Sequence, residues 1–249
     1  MEVFTDAELA ALEQFRPRVV DVLPDEYARK DENLIRWLRA RDLDLDKAED
    51  LVKKSMQWRQ DNKIDTIIES GIDSEMQKLF PFYIDAIDRE GRVALTCPIG
   101  EWDVRESVEK DGPEKFIRYS RQLLETVSRR VRAVHEESGS NLPKGIRYTM
   151  ICDYEGFGLR QLANMKSVNT ILQIVGSYEA HYPETLNTAL IINAPAVFSV
   201  LFNLMKPLMT ARTINKIQIY SSDRAKWEPE VLKLVDASQI RPRFGGCKP

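Results

Sequence analysis

The first part of the chain carries apolar residues at the three-to-four spacing of amphipathic helices. This spacing holds over residues 6–15, 34–41 and 44–59, and Asp44 is suited to cap the start of the last of these segments. No alternating strand pattern interrupts them. Residues 1–74 are therefore predicted to form a small, all-helical domain.

The pattern changes after residue 74. Two apolar runs flank a turn that ends in Gly91, which is a hairpin signal. The predicted strands are 83–87, 93–97, 146–153, 188–193 and 217–220, and the predicted helices are 113–136, 162–180, 196–209 and 229–235. Strands separated by helices predict an α/β fold with parallel crossovers over residues 75–249.

The predicted helix over residues 196–209, which follows Pro195, has an unusual distribution of apolar side chains. They extend most of the way around a helical turn, so a single core-facing stripe cannot bury all of them. They are Val197, Phe198, Val200, Leu201, Phe202, Leu204, Met205, Leu208 and Met209. The segment is too short to span a bilayer. Such a helix is deeply buried, covers a ligand, or meets a membrane.

Composition narrows the class of protein. The chain has 249 residues, of which 43% are hydrophobic and 30% charged, with a net charge of −3, so it is expected to be globular. No basic excess favours a nucleic-acid partner. Membrane contact would therefore use a local basic patch or apolar insertion.

Cysteine usage and the ends of the chain bear on location. The three cysteines are far apart, so they indicate neither a metal site nor a disulfide framework, as is typical of a reducing compartment. There is no signal-peptide pattern and no 18-residue apolar run. These features predict a cytoplasmic location.

Candidate catalytic residues are few. The two histidines, His135 and His181, lack partners at metal-ligand spacing, and neither a G-x-S-x-G elbow nor a phosphate-binding P-loop occurs. Cys152 precedes an acidic Asp-Tyr-Glu segment that would raise the pKa of its thiol. The prediction is a binding protein with no catalytic residues, no metal and no cofactor.

Six short motifs then converge on one family. They are Leu-Ile-Arg-Trp-Leu-Arg-Ala-Arg-Asp-Leu-Asp at 34–44, Asp-Tyr-Glu-Gly at 153–156, Tyr-Pro-Glu-Thr at 182–185, Ile-Ile-Asn-Ala-Pro at 191–195, Lys-Pro at 206–207 and Phe-Gly-Gly at 244–246. In this order they resemble the CRAL-TRIO lipid-binding and transfer proteins. The nearest in appearance are the supernatant protein factor group and the fungal phosphatidylinositol/phosphatidylcholine transfer protein.

The resemblance implies a particular architecture and activity. A mixed, largely parallel sheet would form the floor of an apolar cavity, and the apolar helix after Pro195 would be its gate. The gate would open on a membrane to admit or release a lipid. The implied protein is a monomer that associates transiently with a membrane surface.

The resemblance also implies a headgroup site. Phosphoinositide-binding members hold the lipid headgroup with a glutamate, a threonine and a lysine, and Glu184, Thr213 and Lys216 stand at the matching positions of this chain. Basic residues of a further segment assist in those members, and here that segment holds Arg36, Arg39 and Arg41. The alternatives are a turn glutamate, a helix-cap threonine and a solvated lysine.

The nature of the ligand stays open between two classes. Tyr148 and Met150 stand where choline-lipid binders carry small hydroxyl residues, which weakens the case for phosphatidylcholine. The favoured ligand is a phospholipid such as phosphatidylinositol. The alternative ligand is a tocopherol, squalene or retinoid-type molecule. The alternative function is an interaction module that has lost lipid exchange.

Overall fold

The computed structural model describes residues 4–69, 71–137 and 146–249. It begins with three helices, α1 (Asp6–Val19), α2 (Asp31–Arg39) and α3 (Leu45–Asp61). A capping box between Thr5 and Glu8 starts α1. The three helices bury a core of their own around Phe15, Leu34 and Trp37.

The rest of the chain contains seven further helices and five strands in the described residues. The helices are α4 (Ser74–Leu79), α5 (Val104–Asp111), α6 (Pro113–Glu137), α7 (Met165–His181), α8 (Phe198–Met205), α9 (Ala211–Ile214) and α10 (Arg224–Leu234). The strands are β1 (Tyr83–Ile87), β2 (Val93–Cys97), β3 (Tyr148–Asp153), β4 (Leu186–Ile192) and β5 (Ile217–Ile219).

The five strands form one mixed sheet in the order β1-β2-β3-β4-β5. Strands β1 and β2 form the predicted antiparallel hairpin, and each of the other pairs is parallel. Each parallel step moves in the same direction across the sheet. Right-handed crossovers therefore place their helices on the same face.

The two faces of the sheet have separate cores. On the crossover face, Leu95 and Ile191 pack with α6, α7 and α8. On the opposite face, Ile151 and Leu190 pack against Trp227 of α10 and Phe244 of the C-terminal segment. The sheet is thus covered on both sides, as expected for its continuous apolar strands.

The domain boundary predicted after residue 74 coincides with the start of α4 at Ser74. Met76 of α4 and Phe80, which directly follows α4, pack in the core on the crossover face of the sheet. The boundary itself stays a prediction.

Some predicted bounds differ from the structure. Strand β4 starts at Leu186 rather than at residue 188, because the turn over residues 182–185 delivers the chain directly into the sheet. Residues 138–145, which connect α6 to β3 in the chain, lie outside the described residues.

The apolar helix is also shorter than predicted. Its first turn is not helical, since Phe198 N–H bonds to Pro195 in a separate turn, and α8 runs only from Phe198 to Met205. Pro207 has no N–H to continue the helical ladder, and it disfavours the α conformation of Lys206. A 3-10 turn, Lys206–Leu208, completes the segment.

Candidate functional site

A lysine–glutamate pair lies where the turn before β4 meets the residue before β5. Lys216 Nζ is 2.8 Å from Glu184 Oε2, and the two side chains are only 19% and 6% exposed. Burial lowers the pKa of Lys216, while the hydrogen bond that Lys216 donates to Glu184 opposes that shift. Glu184 is therefore not a simple solvated turn residue, nor is Lys216 a solvated lysine.

The backbone at Glu184 is strained. Its φ angle is +59°, in the left-handed region that residues with a side chain rarely occupy. The turn is closed by the Thr185 hydroxyl, which donates to the Tyr182 carbonyl oxygen at 2.7 Å. The turn thereby aims the Glu184 carboxylate at Lys216.

Thr213 is buried in α9, and its carbonyl oxygen accepts from the Lys216 N–H at 3.1 Å. The cap of this short helix is Thr210, whose hydroxyl accepts from the Thr213 N–H at 3.2 Å. The alternative interpretation of Thr213 as a helix cap is therefore wrong. Its hydroxyl lies 3.1 Å from that of Thr210.

Glu179 of α7 is a site residue that no sequence motif marked. Its Oε2 accepts from the Thr210 N–H at 3.3 Å. Its negative charge partly opposes the lowering of the Lys216 pKa that burial causes. Its Oε1 is buried and has no hydrogen-bond partner among the described residues. The lysine thus faces two carboxylates, one of which has an unused acceptor.

The three arginines of the 34–44 segment point to different surroundings. Arg39 pairs with Glu8 at 2.7 Å, and this half-buried contact fastens α1 to α2. Arg41 donates to the Ala40 carbonyl oxygen at 2.8 Å. Arg36 faces a cavity between the helical region and the sheet domain.

The loop that carries Arg41 nevertheless approaches the candidate site. Its Asp42 pairs with Arg212 of α9 at 3.2 Å. The structure thus brings this loop against the helix of Thr213. The headgroup role of Arg39 and Arg41 stays a prediction, and Arg39 already has Glu8 as a partner.

The predicted gate has two apolar faces. Its inner side chains Phe198, Leu201 and Phe202 are buried, while Val200 and Leu204 are 50% and 45% exposed. Leu208 in the following 3-10 turn continues the exposed stripe at four-residue spacing. No single core face buries all of these residues, as predicted.

The inner face of α8 rests on the core of the crossover face. The Phe198 ring lies 4.5 Å from that of Tyr154, which follows β3, and 5.8 Å from that of Phe202. Met205 and Met209 pack on the same core, and Val197 is half-buried at the start of the segment. The inner face of this segment is therefore packed against the core of the crossover face.

Two cavities lie beside the helical region. One of about 380 Å³ is bordered by α2, α3, α6 and the start of β3, and one of about 270 Å³ lies between α3, α6 and α7. His181 borders both. Burial, with the positive charges of Arg121 and Arg59, lowers the pKa of His181 to about 4, so this histidine is neutral at neutral pH.

The described residues hold neither a membrane-spanning helix nor a cluster of metal ligands. Within residues 4–69, 71–137 and 146–249, no helix is long and apolar enough to cross a bilayer. In the same part of the chain, no group of three His, Cys, Asp or Glu residues is placed to hold a metal ion.

Comparisons with known proteins place this geometry in a family. A profile of the CRAL/TRIO domain matches residues 77–246, and the chain belongs to that family. It is 28% identical over 217 residues, 87% of its length, to CRAL-TRIO domain-containing protein T23G5.2 of Caenorhabditis elegans, of which it spans 30%. The crystal structure of Sfh5 has the same fold, with a TM-score of 0.72 and 17% identity over 92% of this chain and 85% of that one.

These findings confirm the predicted resemblance and fold class. Membership of the CRAL/TRIO family supports binding or transfer of a hydrophobic ligand in general terms.

Proposed function

We propose that this chain is a non-catalytic carrier that binds phosphatidylinositol and transfers it between membranes. The observation that carries the proposal is the buried pair of Lys216 and Glu184, whose lysine follows buried Thr213 by three residues. No covalent chemistry is assigned to these residues.

The need for a carrier follows from the cost of moving a lipid through water. Each methylene contributes about 0.8 kcal/mol when buried, so a two-chain lipid with about 30 methylenes resists desorption by more than about 20 kcal/mol. Only an apolar cavity offered to the departing lipid lowers that barrier substantially. The core of the crossover face, covered by α8, is the region from which we expect such a cavity to open.

The two-faced gate fits this task. Phe198 and Phe202 on its inner face would cover acyl chains, and the exposed stripe of Val200, Leu204 and Leu208 would enter the membrane interface. A helix with one apolar face would serve only one of these environments.

The polar residues at the end of the gate fit an inositol phospholipid. The Lys216 ammonium is a compact charge for a phosphodiester, and the Thr213 hydroxyl donates to the same group. The carboxylates of Glu184 and Glu179 accept hydrogen bonds from ring hydroxyls. A choline headgroup has no hydroxyl donors, so it would leave the free Glu179 Oε1 unsatisfied.

A transfer assay tests this assignment. Donor vesicles carry labelled phosphatidylinositol in one series and labelled tocopherol in the other. Lys216→Met is expected to reduce phosphatidylinositol transfer about tenfold or more, since a hydrogen bond to a charged group contributes about 1.5–3 kcal/mol. Tocopherol transfer should stay within about twofold, because it needs no phosphate contact.

The matched control is Lys226→Met, which removes an equal charge from an exposed side chain. Thermal melts establish that each variant is folded. If folded Lys216→Met protein lost transfer of both cargoes equally, Lys216 would have no headgroup role. The more general proposal that the protein transfers lipids would still stand.

A further inference from the structure

The larger cavity lies between the two parts of the chain, and its lining combines apolar side chains with several polar and charged groups. It has a volume of about 380 Å³. The helical region contributes Tyr27, Asn33 and Arg36, and the sheet domain contributes Ser128 and Tyr148. This volume lies in the range of small-molecule sites, about 300–1,000 Å³.

Arg36 is the unusual member of this lining. Its guanidinium makes no hydrogen bond or ion pair within the described residues, and its Nε is fully buried without a partner. The guanidinium carbon lies over the face of the Trp37 ring, 4.6 Å from the ring centroid. The residue is only half-buried by surface because its open side faces the cavity.

Burial desolvates the Arg36 guanidinium, and the guanidinium keeps its positive charge. Burial, together with nearby Arg59, lowers the pKa of Arg36 to about 10, which still leaves it charged at neutral pH. A desolvated cation without a partner is costly to fold. A protein that keeps one beside a cavity gains free energy when an anion enters.

The other charged groups of the cavity do not supply that anion. Glu125 and Asp65 both pair with Arg59, and Asp25 pairs with Arg132. With Arg129, the cavity lining holds four arginines against three carboxylates, so its positive charges outnumber its negative charges by one. His181 adds no charge, since its pKa is lowered to about 4.

We propose that this interdomain cavity binds a small organic phosphate that carries hydroxyl groups, with Arg36 as its charged contact. The guanidinium presents several N–H donors in a planar fork that matches phosphate oxygens. Hydroxyl and amide groups of Tyr27, Asn33 and Ser128 line the same space for the hydroxyls of the ligand. The inference rests on the cavity alone and does not depend on the proposed function.

Binding here would join the two parts of the chain. The ligand would contact α2 through Arg36 and α6 through Ser128, so it would stabilise their docking by mass action. A sugar or inositol phosphate in solution and the headgroup of a phospholipid offer the same chemistry. The experiment below separates these two sources.

The test measures thermal unfolding of the full chain with four probes: inorganic phosphate, inositol 1-phosphate, uncharged inositol, and phosphatidylcholine vesicles with or without phosphatidylinositol. Inositol 1-phosphate should raise the Tm of the wild type, and inositol should not. A shift that appears only with phosphatidylinositol vesicles would assign the site to a lipid headgroup.

Arg36→Met provides the decisive variant. Removing an unpaired buried charge should maintain or raise the Tm of the ligand-free protein, and it should abolish the shift caused by inositol 1-phosphate. Arg224→Met, which removes an exposed arginine from α10, should keep that shift. A structural role for Arg36 would instead lower the ligand-free Tm and preserve the shift, which would overturn the proposal.

Wild-type protein gives a second, independent measurement by isothermal titration calorimetry. Saturable binding of inositol 1-phosphate, with inositol inert, supports the site. If neither inositol 1-phosphate nor phosphatidylinositol vesicles produce saturable binding or a Tm shift, the proposal fails, whatever the behaviour of the variants.

Discussion

At the scale of single residues, His181 shows how one ring links the two parts of the chain. It stacks on Trp58 of α3 with ring centroids 3.8 Å apart, and its Nδ1 lies 3.2 Å from Ser55 Oγ. Burial lowers its pKa to about 4. Because the unfolded chain binds a proton near pH 6.5, the stability contributed by neutral His181 is present above that pH and is lost as pH falls toward 4.

Substituting His181 should therefore flatten part of the acid dependence of stability. His181→Phe retains an aromatic ring against Trp58 but cannot titrate. We expect its free energy of unfolding to fall less than that of the wild type between pH 6.5 and 4, as measured by urea unfolding at several pH values. His135→Phe is the control, and equal slopes for His181→Phe and the wild type would contradict the assignment.

Gly246 explains part of the Phe-Gly-Gly motif. A Cβ at this position would lie 1.9 Å from the Ile240 carbonyl oxygen, close to the buried Phe244. Gly246→Ala should cost about 2 kcal/mol or more, because the backbone of the C-terminal segment must shift. A Cβ at Gly158 would contact no atom within 4 Å, so Gly158→Ala should change the free energy of unfolding in denaturant by less than about 0.5 kcal/mol. A similar loss in both variants would contradict this explanation of Gly246.

At the scale of elements, the segment over residues 196–209 has one buried and one exposed apolar face. Phe202 is 8% exposed and packs in the core, whereas Leu204, two residues later, is 45% exposed. The two faces of one short helix therefore have different roles in the account. Substitutions on each face should produce different losses.

The outer face is expected to govern vesicle binding. Leu204→Glu should weaken sedimentation with phospholipid vesicles strongly while it changes the free energy of unfolding by less than about 0.5 kcal/mol. Leu79→Glu, at a 58% exposed leucine of α4, makes the same chemical change away from the gate and should bind vesicles like the wild type. Equal losses in the two variants would show that α8 has no special membrane role.

The inner face is expected to govern folding of the closed form. Phe202→Ala removes a buried ring from the core beside Phe198 and should cost about 3–5 kcal/mol in chemical denaturation. A loss below about 1 kcal/mol would indicate that the gate segment does not contribute its inner ring to the stable core.

At the scale of the whole molecule, a buried network docks the helical region on the sheet domain. Both Nη atoms of Arg59 donate to Glu125 of α6 at 3.0 Å, and the Tyr182 hydroxyl donates to the same carboxylate at 2.6 Å. Glu125 is only 5% exposed. One carboxylate thus joins α3, α6 and the turn before β4.

Loss of that carboxylate charge should be costly. Glu125→Gln leaves Arg59 with Asp65 as its remaining partner, and we expect a loss of about 3 kcal/mol in the free energy of unfolding. Glu230→Gln breaks an exposed pair with Lys233 and should cost less than about 1 kcal/mol. Similar small losses in both would show that the network does not hold the two parts together.

The sequence predicted the fold well where periodicity carries the information. The helical spacing before residue 74, the hairpin around Gly91 and the alternation of strands and helices all appear in the structure. The two apolar faces of the segment over residues 196–209 could also be predicted, since burial on one side alone cannot accommodate its nine apolar side chains. Its helical bounds could not, because the turn before Phe198 and the effect of Pro207 depend on local hydrogen bonds.

The candidate site was only partly predictable. The family resemblance pointed to Glu184 and Lys216, and the structure brings these two side chains together. Spacing did not reveal Glu179, whose role depends on where α7 ends relative to α9. Nor did it separate Arg36 from Arg39, because the rotation of α2 directs one to a cavity and the other to Glu8.

The central claim, that this fold carries a lipid with an inositol headgroup, is tested most directly by identifying what the protein binds. Native mass spectrometry of gently purified full-length chain, followed by lipid extraction, gives that identity. We expect a one-to-one complex whose extract contains phosphatidylinositol, and loss of that species in Lys216→Met protein. A folded protein that carries no hydrophobic ligand, and acquires none after incubation with mixed-lipid vesicles, would contradict the account.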